Sequence, residues 1–132
     1  MGFVYKGSSL SKLLIDIEGQ EQQVEMLKSF EFNSDRKRMS VIVRHDGVLK
    51  MYVKGADSII KARLATDRPQ PFLDGVNDKL DFFAKKGLRT LCIALKVITE
   101  HEYEEFNNKL NACLGQADSE AKQNQIIDEM EM

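Results

Sequence analysis

The chain reads as an α+β fold: an antiparallel β-sheet of about six strands flanked by helices. Three observations lead there. The first half of the 132 residues is strand-like and holds an Asp46-Gly47 pair between two β-type runs. The second half carries apolar stripes at helical spacing, with start and stop signals at their ends. The element order β-β-β-β-β-α-α-β-α-α lacks the strand–helix alternation of a doubly wound sheet.

Gly2–Tyr5 and Lys12–Ile17 are short strands, with Gly7-Ser8-Ser9 as a loop between them and Glu18-Gly19-Gln20 as a turn. Gln22–Phe32 admits a helix stripe at Val24, Leu27 and Phe30. Its aromatic end runs straight into another β-type segment, which favours a strand. Met39–His45 and Val48–Lys54 flank Asp46-Gly47, a type I′ hairpin signal, because both central residues of that turn need positive φ. Asp57 is expected to cap a short helix with Ile60 and Leu64 on one face. Arg68-Pro69-Gln70-Pro71 then breaks the chain.

Leu73, Val76, Leu80 and Phe83 form the next helical stripe, with Lys85 and Lys86 in the last turn and Gly87 as the stop. Thr90–Val97 alternates, which predicts a half-buried strand with Leu91, Ile93, Leu95 and Val97 on its buried side. Thr99 and Glu102 form a capping box for a helix lined by Tyr103, Phe106, Leu110 and Cys113 and ended by Gly115. Ser119–Met130 is a last helix, apolar at Ala121, Ile126, Ile127 and Met130.

The length suits a single domain, 1–132, with a sizeable core. A net charge of −2 gives no general pull toward nucleic acid or an anionic membrane, so a local basic cluster needs a local explanation. There is no apolar run long enough to span a membrane and no signal-peptide core. Cys92 and Cys113 have neither CxxC nor metal spacing, as expected of free thiols in a reducing compartment.

Three segments carry chemistry. In FEFNSDRKRMSVIV, Phe30–Val43, the cations Arg36, Lys37 and Arg38 lie between a phenylalanine pair and an apolar strand. An aromatic face stacks on a base, and the cations supply charge-assisted hydrogen bonds. Alternation puts Lys37 on the side opposite Arg36 and Arg38. The competing readings are a core phenylalanine and salt bridges to Asp35 or Glu31. In KGAD, Lys54–Asp57, a strand end, a glycine and a helix start suggest an anion site near a phosphate; the plainer account is a corner turned at Gly55 with Lys54 solvated. In GLRTL, Gly87–Leu91, Gly87 is explained as a helix stop and Arg89 opens a strand.

Taken together, in this order and at about this spacing, these segments resemble the nucleotide-binding domain of P-type ATPases over roughly Phe3–Met132. KGAD, where calcium and sodium pumps usually carry KGAP, looks like the type-IV branch, the phospholipid flippases. By this resemblance Phe32 takes the place of the aromatic on which adenine stacks, and Lys37 that of the lysine near the adenine edge. Lys54 takes the KGA lysine of the pocket, Arg89 the arginine reaching toward the phosphates, and Ser34 and Gly55 line the pocket. The family's upstream acidic motif has no counterpart here, and DKTG, TGD, DGxNDxxM and every membrane helix are absent. The resemblance therefore implies an excised ATP-binding domain of a larger, multi-pass membrane enzyme, on the cytosolic side. Its partners would be the parent's phosphorylation and membrane domains. The Mg²⁺ ligands and the phospholipid substrate would belong to the parent. Such a fragment should bind ATP without turning it over. Two alternatives stay open: the same domain of a cation pump, and an α+β interaction module using Arg36–Arg38 as a docking patch for an acidic partner.

Overall fold

A computed structural model describes residues 2–9, 11–115 and 118–132. Six strands follow one another across one sheet in chain order, each antiparallel to the next: β1 (Phe3–Ser9), β2 (Lys12–Ile17), β3 (Gln20–Asn33), β4 (Arg38–His45), β5 (Val48–Gly55) and β6 (Cys92–Ile98). Between β5 and β6 come α1 (Asp57–Lys61) and α2 (Leu73–Lys85); α3 (Glu100–Ala112) and α4 (Ser119–Met130) close the chain. The α+β architecture and the element order are those expected.

Turn chemistry sets the meander. Asp46 and Gly47 have φ of 51° and 73°, and Glu18 and Gly19 have 53° and 86°, so both two-residue hairpins have positive φ at each central position. The Asp16 carboxylate accepts the Gly19 N–H at 2.7 Å and steadies the first of these turns. Gly7-Ser8-Ser9 is not a loop: it continues β1, pairing with Leu14, Leu13 and Lys12, and a register shift between Tyr5 and Gly7 absorbs the irregularity.

The core lies between β4–β6 and the helices. Ile42, Leu49, Met51, Val53 and Ile98 from the sheet meet Ile60 of α1, Phe106 and Leu110 of α3, and Ile127 and Met130 of α4. The capping box starts α3 as expected: Glu102 N–H donates to Thr99 Oγ1 at 3.2 Å, and Thr99 N–H to Glu102 Oε2 at 2.7 Å. Gly87, with φ of 70°, stops α2: its N–H reaches Ala84 O, and that of Leu88 reaches Phe83 O. Asp57 is not a cap; Ala56 holds that position without a side-chain bond, and Asp57 pairs with Lys61 within a five-residue helix that ends before Leu64.

The largest departure concerns β6. Leu91, Ile93, Leu95 and Val97 are 54–67% exposed, whereas Cys92, Ala94 and Ile98 contact the core. The register explains it: Ala94 lies opposite Val53 and Ile98 opposite Leu49, both core residues, so the bulkier alternate set faces away from α3 and α4. Lys96 shares the core side and sends its amine to Met130 O and Met132 O at 3.2 and 3.0 Å. Helix α2 buries none of its residues. Cys92 and Cys113 are free thiols.

Candidate functional site

One cross-strand row joins the first two segments and ends just after the third. Asn33 at the end of β3 lies opposite Arg38, Arg38 opposite Gly55, and Gly55 opposite Cys92. Phe32 therefore stands beside one end of the row, and the turn carrying Ser34 and Lys37 connects Asn33 to Arg38. Lys54 precedes Gly55, and Arg89 lies three residues before Cys92. Ser34, Lys37, Lys54 and Arg89 are all exposed.

Phe30 and Phe32 would share a face in a regular strand. They do not share an environment, because the β3–β4 register shifts between Phe30 and Asn33. Four residues of β3 span the length of three on β4, and this extra residue breaks the alternation. Phe30 packs edge-on against Phe106, with ring centroids 5.9 Å apart and planes at 86°. Phe32 stays 65% exposed. A large aromatic left outside the core is available for stacking.

The three consecutive cations divide. Arg36 and Arg38 are 9% and 2% exposed. Their partners are neither Asp35 nor Glu31 but two carboxylates of the C-terminal end. Glu131, whose side chain is fully buried, accepts from Arg36 Nη2 at 2.7 Å, Arg38 Nε at 2.5 Å and Ser40 Oγ at 2.5 Å. Asp128 pairs with Arg38 and, at 2.5 Å, with Arg63. Burial pushes the Asp128 carboxyl up, but the hydrogen bonds and charges of Arg63 and Arg38 outweigh it and hold the group below its usual value. An exposed Arg36–Arg38 docking patch is thereby excluded, since only Lys37 of the three faces solvent.

Lys37 has φ of 55°, a left-handed conformation uncommon outside glycine. Its N–H donates to Asn33 O at 2.7 Å, and the Asn33 side chain accepts the Asp35 N–H at 2.7 Å, so the turn is closed from both ends. Gly55 is buried because β4 presses on it: a β-carbon there would lie 2.9 Å from both Lys37 O and Arg38 Cβ. The close approach this glycine permits is that of the neighbouring strand.

Sequence reasoning missed Glu131 and Asp128, which lie far along the chain from the hairpin they bind, and Arg63, which pairs with Asp128. One signal was available. Helix α4 has no basic residue in its last turn, although the dipole favours cations there. Acidic residues at a helix C-terminus need partners from elsewhere.

Apart from the buried Gly55, the candidate residues occupy open surface. A cleft of about 520 Å³ between α2 and the start of β6 borders them through Ile93, the cross-strand partner of Lys54. Among the described residues no three His, Cys, Asp or Glu side chains come together as a metal site. Among the described residues no helix is long and apolar enough to cross a membrane.

Comparison with known proteins adds the lineage. The family described as "P-type ATPase, cytoplasmic domain N" matches residues 7–130. Phospholipid-transporting ATPase IC of Xenopus tropicalis is 44% identical over 109 residues, covering 82% of this chain and 9% of the relative. The Mus musculus protein of the same name is 42% identical over 113 residues, 85% of this chain and 9% of the relative. Phospholipid-transporting ATPase DRS2 of Saccharomyces cerevisiae is 38% identical over 121 residues, covering 91% of this chain and 9% of the relative. The chain thus spans about a tenth of the length of these relatives.

Proposed function

We propose, from the premise that this chain belongs to the P-type ATPase cytoplasmic domain N family, that it binds ATP by its adenosine end. In the parent enzyme it would present the γ-phosphate to an aspartate on a separate domain, and the parent would translocate phospholipid. The chain's own contribution is recognition and positioning. Phe32 stacks on the base and Lys37 lies at its edge. Lys54 faces the phosphate side, Arg89 meets phosphate charge, and Ser34 and Gly55 line the site. Mg²⁺ would accompany the triphosphate, its protein ligands lying elsewhere in the parent.

The observation that carries this reading is the exposed Phe32 at the end of β3, just before the turn that exposes Lys37, when Phe30 two residues earlier is packed on Phe106. The register row supports it by bringing the other candidates to the same end of the sheet. The lipid-transporting branch is supported over the cation pumps by the names of the relatives at 38–44% identity.

Titration of the 132-residue chain with ATP, ADP and AMP by calorimetry or NMR tests the proposal. The site is open, so dissociation constants between about 10 μM and 1 mM are expected, similar for ATP and ADP and not far weaker for AMP. No saturable shift at Phe32, Lys54 and Arg89 would reject it.

A further inference from the structure

Lys37 holds a strained left-handed backbone conformation, φ 55°, that persists only where its surroundings over-determine it. Its surroundings here are the two arginines on either side, and both are tied to the same carboxylate. Arg36 Nη2 meets one oxygen of Glu131 at 2.7 Å, and Arg38 Nε meets the other at 2.5 Å. Arg38 Nη1 also donates to Arg36 O at 2.7 Å, closing a ring across the turn beneath Lys37. With Arg36 and Arg38 drawn inward, the residue between them has to project outward, and Lys37 O is seated against Gly55.

We propose that Glu131 is a positioning residue for the candidate nucleotide site. By clamping Arg36 and Arg38 it orders the Ser34–Lys37 turn and holds Lys37 and neighbouring Phe32 on the ligand side; the ligand half of this statement rests on the function proposed above. Asp128 braces the clamp through Arg38 and Arg63. The end of α4 and the site hairpin thus act as one mechanical unit.

Amide hydrogen exchange on Glu131→Gln, read residue by residue with an ATP titration alongside, tests this. Gln keeps the size and loses the charge. The Lys37 amide and its neighbours in 33–38 should exchange about tenfold faster while β5 and β6 keep their protection. ATP affinity should fall about fivefold or more. Wild-type exchange in 33–38, or an equal loss of protection across all strands, would overturn the clamp. Faster local exchange with unchanged ATP affinity would overturn its link to the ligand, provided that Lys37→Ala and Phe32→Ala weaken binding. If those two variants bind ATP normally, the site assignment fails, and the exchange measurement still decides the clamp by itself. Should Glu131→Gln not fold, Asp128→Asn decides, since it leaves Glu131 in contact with both arginines. A smaller acceleration confined to 33–38 supports the clamp, and no acceleration there overturns it.

Discussion

The helix-covered face of the sheet and the face opposite are built from the same strands, yet they follow different rules. On the covered face Ile42 and Met51 are completely buried under α1, α3 and α4, and even the charged Arg38 and Lys96 are drawn in and given partners. On the other face of β6, Ile93, Leu95 and Val97 stand in solvent next to Lys54. Side-chain type therefore does not sort the faces; what packs above each face does. The hairpin at the end of β3 makes the same point with charge. Arg36 and Arg38 belong to the covered side and Lys37 to the open side, although the three are consecutive.

The sharpest way to break this comparison is to remove adjacent cations in turn. Arg38→Ala leaves Glu131 buried with a lost partner and should cost about 3–5 kcal/mol of stability. Lys37→Ala, one residue away and exposed, should change stability by no more than about 0.5 kcal/mol. Urea denaturation of both measures the gap, and similar losses would mean that the two faces are not distinct at this hairpin.

The phenylalanines give the next contrast. Phe30→Ala should cost about 3 kcal/mol, the low end for a large-to-small core change, because the ring is only partly buried. Phe32→Ala should leave the melting curve nearly unmoved and remove about 1–3 kcal/mol of base stacking from ATP binding. If Phe32→Ala destabilises as Phe30→Ala does while binding survives, Phe32 is part of the core.

Lys54→Ala probes the open face at β5. A charged hydrogen bond contributes about 1.5–3 kcal/mol, so ATP affinity should drop roughly tenfold to a hundredfold without loss of fold. Wild-type affinity would reduce Lys54 to a solvated strand end.

Acid should act through the ion pairs and caps, and more gently. Asp128 and Glu102 both titrate below their ordinary values when folded. In Asp128 the arginines outweigh burial, and in Glu102 the Thr99 backbone N–H is the main cause. A lowered folded value contributes stability that is present above the unfolded pKa and lost as pH falls through the folded one. Stability should therefore decline progressively below about pH 5. Asp128→Asn should flatten part of that decline in a pH series of denaturation curves; an unchanged acid limb would show that Asp128 is not linked to folding.

Several elements were legible in the sequence because their causes are local. Asp46-Gly47 requires a type I′ turn, Gly87 a helix stop, and Thr99 with Glu102 a capping box; each depends on residues within a few positions. The antiparallel α+β class followed from their order, whereas the candidate site residues came from the resemblance of three short motifs to a family and remain a proposal. Other features depended on distant neighbours. The alternation of β6 defined two faces, but only its register with β5 decided that Ala94 and Ile98, and not Leu95 and Val97, meet the core. Phe30 and Phe32 were equivalent by spacing until the register shift against β4 separated them. The arginines beside Lys37 found partners more than ninety residues away, because a buried charge is tolerated only where the fold supplies its counter-charge. Backbone geometry is specified by near neighbours, whereas burial and ion pairing depend on which surfaces the finished fold brings together.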